Sequence, residues 1–152
     1  MHEEKTIVTV QVHVAAPIEK VWEYWTTPEH IQHWNFASDN WECPRAENDL
    51  RVGGKFSYRM ETKNNYVGFS AQGGPASGWD FSGTYTEIVP QERIFYVLSG
   101  EDKRKVDVTF TDVGDGILVT ESFEAETENP LDIQQAGWQA ILDNFKKYVE
   151  SV

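Results

Sequence analysis

The segment TIVTVQVHVAAPIEKVWEYWTTPEHIQHW, residues 6–34, changes its period twice. From Thr6 to Val14 it alternates. Val8, Val10, Val12 and Val14 share one face and Thr9, Gln11 and His13 the other. Period two with β-branched residues predicts a half-buried strand. Ala15-Ala16-Pro17 ends it, and proline suits a first helical turn. Ile18, Val21, Trp22 and Trp25 then recur at helical spacing, which predicts an amphipathic helix. Thr27-Pro28-Glu29 restarts the chain as a second short helix, with Thr27 placed to cap it and Pro28 at its first position, running to about Trp34.

From there to about residue 125 the pattern is that of an antiparallel meander. Strands are predicted over 39–46, 55–62, 79–89, 93–99, 104–111 and 117–125. Pro44 assigns the first of these to a sheet edge. Gly53-Gly54, Pro90-Gln91-Glu92 and Val113-Gly114-Asp115-Gly116 supply turns. Pro130 opens a closing helix in which Leu131, Gln134, Trp138, Ile141, Phe145 and Tyr148 keep the helical period, with Ile133, Gly137, Leu142 and Val149 widening the stripe. Strands and helices are segregated, so the fold class is α+β, with a long helix laid over one face of an antiparallel sheet. No repeat or linker interrupts the pattern, and residues 1–152 read as one domain.

Composition sets further bounds. Aromatic residues make up 13% of the chain, enough to build a core. No apolar run approaches the ~20 residues of a membrane span, so no membrane-spanning segment is expected. A secretory signal is not expected either. The lone cysteine, Cys43, cannot form an internal disulfide, which suits a reducing cytoplasm. The formal net charge is −12, and between Val106 and Phe145 nine acids occur without a single Lys or Arg. Such a field repels a phosphate backbone, so no nucleic-acid partner is expected. The acidic span reads as a solubilising surface or as a docking face for a basic partner.

Several motifs carry a family resemblance. Val14-Ala15-Ala16-Pro17-Ile18-Glu19-Lys20-Val21-Trp22 is followed by Thr27-Pro28-Glu29-His30-Ile31 and Trp34. Further along stand Gly53-Gly54-Lys55-Phe56, Phe81-Ser82-Gly83-Thr84-Tyr85, Glu87-Ile88-Val89-Pro90-Gln91-Glu92-Arg93-Ile94, and Gly137-Trp138 before Leu142-Asp143-Asn144-Phe145. Together they resemble the START-like (SRPBCC) superfamily, which includes the major birch-pollen allergen and polyketide cyclases. Within it the chain is similar to the bacterial branch related to the activator of the heat-shock-protein-90 ATPase. The resemblance implies a helix-grip fold: a curved sheet of about six or seven strands around a long C-terminal helix, with two short helices after the first strand and a cavity between sheet and helix. It carries no reaction, because members include carriers, receptors, cyclases and co-chaperone domains.

The aromatics gather where such a cavity would lie. Trp25 and Trp34 fall on the short helices, Phe56 and Tyr58 on one strand, Trp79 and Phe81 on another, and Trp138 and Phe145 on the long helix. Apolar walls with a few fixed polar groups are the mark of a small-molecule site. These eight residues are therefore the candidate ligand cavity, with a small hydrophobic or aromatic molecule as the expected partner. The glycine-containing segment 63–78 is a candidate lid, with Tyr66 and Phe69 as its apolar contacts.

Other chemistry is poorly supported. Segment 63–78 lacks the Gly-Lys-Ser/Thr of a phosphate loop. His30 and His33 share a helical face, but no third ligand is in view, so no metal is expected. No serine sits in a nucleophile elbow, and no cofactor motif occurs. No catalytic residue is assigned. A cyclase-like enzyme in the same cavity would need an acid–base group such as His33, Tyr58, Arg59 or Asp80, and the spacing selects none. A chaperone-interacting domain acting through the acidic surface is the other alternative.

Overall fold

The valine alternation at the start of the chain forms β1 (Ile7–Val14), whose Val8, Val10, Val12 and Val14 all point inward. In the computed structural model, which describes residues 6–63, 78–100 and 103–151, β1 is followed by α1 (Ile18–Thr26) and α2 (Pro28–Ile31). Six strands come next: β2 (Trp41–Asn48), β3 (Lys55–Thr62), β4 (Gly78–Val89), β5 (Arg93–Leu98), β6 (Lys105–Asp112) and β7 (Ile117–Glu124). The chain closes with α3 (Leu131–Ser151).

All seven strands form one curved antiparallel sheet in the order β1-β7-β6-β5-β4-β3-β2. From β2 to β7 each strand pairs with its sequence neighbour, and β1 returns to pair with β7 from Ile7↔Glu124 to Val14↔Ile117. β2 is an edge strand, as Pro44 required, and its register shifts between Glu42 and Arg45. A second shift, between Tyr85 and Glu87, interrupts the β4–β5 ladder. Such bulges deepen the local twist and let a sheet curl.

α3 lies across the concave face and buries Gln134, Gly137, Trp138, Leu142, Phe145 and Val149. It is tied to β1 by Gln139 Nε2 donating to Gln11 O (3.0 Å) and Lys146 Nζ donating to His13 O (2.7 Å). Gln134, fully buried, hydrogen-bonds both to the backbone of Glu126 and to Asn129 O, which fixes the helix entry. The helical stripe needs trimming at this end, because Leu131 and Ile133 are exposed. They occupy the first turn, whose buried residue is Gln134 instead. The expected cap of α2 also differs: Thr27 holds the capping position, but its side chain makes no capping hydrogen bond.

Charged residues of β2–β6 occupy the outer face of the sheet. Asp80 receives Arg45 (3.0 Å) and Arg59 (3.7 Å), and Arg93 bridges Asp107 (2.8 Å) and Glu87 (2.9 Å). Pairs this exposed contribute at most about 1 kcal/mol each. They serve mainly to mark which face of each strand is wet. No helix among the described residues is long and apolar enough to cross a membrane.

Candidate functional site

Alternation along the central strands decides which side chains reach the concave face. β3 sends in Phe56, Tyr58 and Met60, β4 sends in Phe81 and Tyr85, and β5 sends in Ile94 and Tyr96. Gly83 lies between Phe81 and Tyr85 on the same face. A Cβ there would stand 2.9 Å from the Phe56 ring and 2.6 Å from Val97 O, so glycine lets Phe56 lie against the strand. Trp25 at the end of α1, and Trp34 and Asn35 just after α2, close one side. Trp138 and Ile141 of α3 form the opposite wall.

These residues enclose a cavity of about 40 Å³. That holds roughly three water molecules, and it is well below the ~150 Å³ of an engineered cavity that accepts benzene. The aromatic rings pack it closely. Phe56 meets Tyr96 edge-on at 4.9 Å, Phe81 meets Trp138 edge-on at 5.8 Å, and Trp25 lies 4.8 Å from Trp34. A ligand of ordinary size therefore enters only if some of these rings turn aside.

Six of the eight expected cavity residues line it: Trp25, Trp34, Phe56, Tyr58, Phe81 and Trp138. Phe145 stands one layer behind, fully buried and edge-on to Trp25 (4.9 Å) and Trp34 (4.8 Å). Trp79 also stands back, with its ring edge-on to Phe81 at 5.6 Å. Tyr66 and Phe69, the expected lid contacts, lie outside the described residues.

Sequence reasoning misses Glu121, one of the nine acids between Val106 and Phe145. It is 5% exposed and lines the cavity. The signal was its phase. In β7, Ile117, Val119, Glu121 and Phe123 share the inward face, and the acid stands where the alternation calls for an apolar residue. Its neighbours across the sheet are Val108 on β6 and Val10 on β1. Burial pushes its pKa up to about 8. It is therefore largely protonated at pH 7.

Other polar groups face the same space. Burial raises the phenols of Tyr58 and Tyr96 well above their usual range, with Tyr85 adding to the effect on Tyr58 and the Glu121 charge adding to that on Tyr96. Burial raises Tyr85 too, against hydrogen bonding to Tyr58 and Asn48 that lowers it. The Trp34 indole is satisfied by Tyr24 O at 3.0 Å, whereas the buried Nε1 of Trp138 has no hydrogen-bond partner. No Lys, Arg or His among the described residues lines the cavity.

The remaining acid–base candidates fall elsewhere. Arg59 and Asp80 belong to the outer ion-pair layer. His33 is exposed and stacks on Tyr148 at 5.2 Å, while His30 Nδ1 hydrogen-bonds Tyr148 Oη at 2.7 Å. The two histidines thus serve a packing contact between α2 and α3. Among the described residues no three potential ligands cluster as a metal site.

Cys43 is buried on β2, and burial raises its thiol to about 11. Thiolate is the reactive form, so the native protein is expected to resist a disulfide reagent at pH 8 and to be labelled only when unfolded. Labelling of the native protein at the unfolded rate would contradict this burial.

The fold has close solved counterparts. A solution structure of an AHSA1-like protein from Aeromonas hydrophila is 39% identical, with a TM-score of 0.82 over 96% of this chain and 93% of the other. Chr148 from Cytophaga hutchinsonii is 43% identical, with a TM-score of 0.74 over 93% and 90%. CV1439 from Chromobacterium violaceum, at 22% identity and a TM-score of 0.80 over 97% and 99%, shares the fold. No curated protein matches the chain. The family model for activator of Hsp90 ATPase homolog 1-like proteins matches residues 15–150. The chain, with its seven-stranded helix-grip fold, belongs to the AHSA1 family.

Proposed function

We propose that this protein binds a small hydrophobic or aromatic molecule between the sheet and α3, without turning it over. One observation carries the reading: Trp138 Nε1, buried without a hydrogen-bond partner, and the buried Glu121 carboxyl line a cavity whose other walls are mostly aromatic. A core selected for stability alone would not keep them, because a buried donor without a partner costs about 1–3 kcal/mol and burial disfavours the charged form of an acid. Local departures of this kind concentrate at functional sites.

The small cavity makes binding a process of fit, in which the rings of Trp25, Tyr58 or Phe81 move to admit the ligand. The test is NMR titration with flavonoid-like, polyketide-like and fatty-acid compounds. With at least one of these compounds, saturable shifts are expected together in residues 21–36, 78–98 and 134–145, with a rise in thermal midpoint, since a ligand held only by the folded state stabilises it by mass action. Shifts confined to the outer acidic surface, or none with any compound, would overturn the proposal and favour a protein-docking role such as chaperone contact. Consumption of the bound compound would replace it with a cyclase-like enzyme.

A further inference from the structure

We infer that the cavity selects uncharged molecules bearing a carbonyl-type oxygen, held by the Trp138 indole N–H and the Glu121 carboxyl as paired donors, and that it turns away carboxylates. This rests on the binding function proposed above and assigns the ligand its chemistry.

The geometry is local. The Trp138 ring stacks on Phe123, with centroids 4.1 Å apart and planes 11° from parallel. Glu121 is two residues from Phe123 on the same face of β7, roughly 7 Å along the strand. Glu121 and Trp138 line the same small cavity. An indole N–H can only donate, and a neutral carboxyl donates through its O–H. Trp138 Nε1 lacks a partner and calls for an acceptor oxygen, and a carbonyl with two lone pairs can receive it together with the Glu121 O–H.

The charge inventory gives the second half. The titratable groups that share the cavity with Glu121 are phenols: Tyr96 of β5, which feels the Glu121 charge, with Tyr85 of β4 and Tyr58 of β3. β1 and β6 present Val10 and Val108, and α3 presents Trp138 and Ile141. Arg104 acts on Tyr96 but does not line the cavity. A bound carboxylate would thus enter an apolar space with no countercharge at its walls, which is strongly unfavourable.

Three one-ring probes separate the possibilities: acetophenone, ethylbenzene and benzoate, titrated into the ¹⁵N-labelled protein at pH 6.5. Acetophenone is expected to bind at least about 10-fold more tightly than either of the others and to shift the Trp138 indole N–H resonance. Trp138→Phe keeps a ring but removes the donor, and should bring acetophenone close to ethylbenzene. Raising the pH from 6.5 to 9 should weaken acetophenone binding several-fold in the wild type, as Glu121 ionises. Glu121→Gln, whose amide still donates, should keep the preference and lose its pH dependence. Ethylbenzene or benzoate binding in the cavity as tightly as acetophenone would overturn this inference and leave the binding function standing. Failure of all three to bind would overturn this inference, and the binding function falls with it only if the flavonoid-like, polyketide-like and fatty-acid compounds also give no saturable shifts.

Discussion

Glu121→Gln is expected to stabilise the protein at pH 7 by about 2–3 kcal/mol. The carboxyl titrates near 8 in the folded protein and near the ordinary 4.5 when unfolded. Between those values the folded state keeps a proton that the unfolded chain releases. Stability from this group is therefore complete below about pH 4.5 and falls steadily as pH rises toward 8. At pH 7 holding the proton costs about 3 kcal/mol, from 1.36 kcal/mol per pH unit. Glutamine is neutral in both states and escapes that cost, less whatever its buried amide fails to hydrogen-bond. At 2–4 °C per kcal/mol for a chain of this length, the melting midpoint should rise by roughly 5–10 °C. At pH 4 the two proteins should melt nearly together. Urea or thermal melts at pH 4, 7 and 8.5 test this. A difference between the two midpoints that stays the same from pH 4 to pH 7 would show that the carboxyl ionises in the folded state as it does in the unfolded chain.

Trp138→Ala works in the opposite direction. The side chain is 4% exposed, stacked on Phe123 and edge-on to Phe81. Truncating such a ring typically costs about 3–5 kcal/mol, part of it for the void left behind. Gly137 beside it is buried, and glycine within a helix is itself unfavourable by about 1 kcal/mol relative to alanine. The segment therefore has little stability to spare. Denaturant unfolding should show the midpoint falling with the slope unchanged. A loss below about 1 kcal/mol would mean that the ring is not part of the core.

The elements were legible because their periods are clean. β3 occupies Lys55–Thr62, the span its alternation predicted, and the helix after Pro130 begins at Leu131. The site was legible only as a gathering of aromatics. Phe145 and Trp138 both belong to the buried side of α3, yet only Trp138 reaches the cavity, and helical period alone does not assign depth on a curved sheet. Glu121 was hidden by a different rule. A run of acids reads as solvated surface, and that average overrode the strand phase that turned one of them inward. The size of the cavity depends on ring orientations, and composition carries no information about those.

The pairing of β1 with β7 sets an order of events during synthesis. Every other strand in the sheet has its partner close by in sequence, whereas Ile7 must wait for Glu124 and Val14 for Ile117. At roughly 5–20 residues per second, the interval on the ribosome is on the order of 5–20 s. Through that interval the valines of β1 leave the ribosome ahead of the strand and the helix that will cover them. An unpaired strand with an apolar face is a ready template for pairing with another chain. The part of this protein made early is thus completed late, and the newborn chain is most prone to aggregate before β7 and α3 emerge.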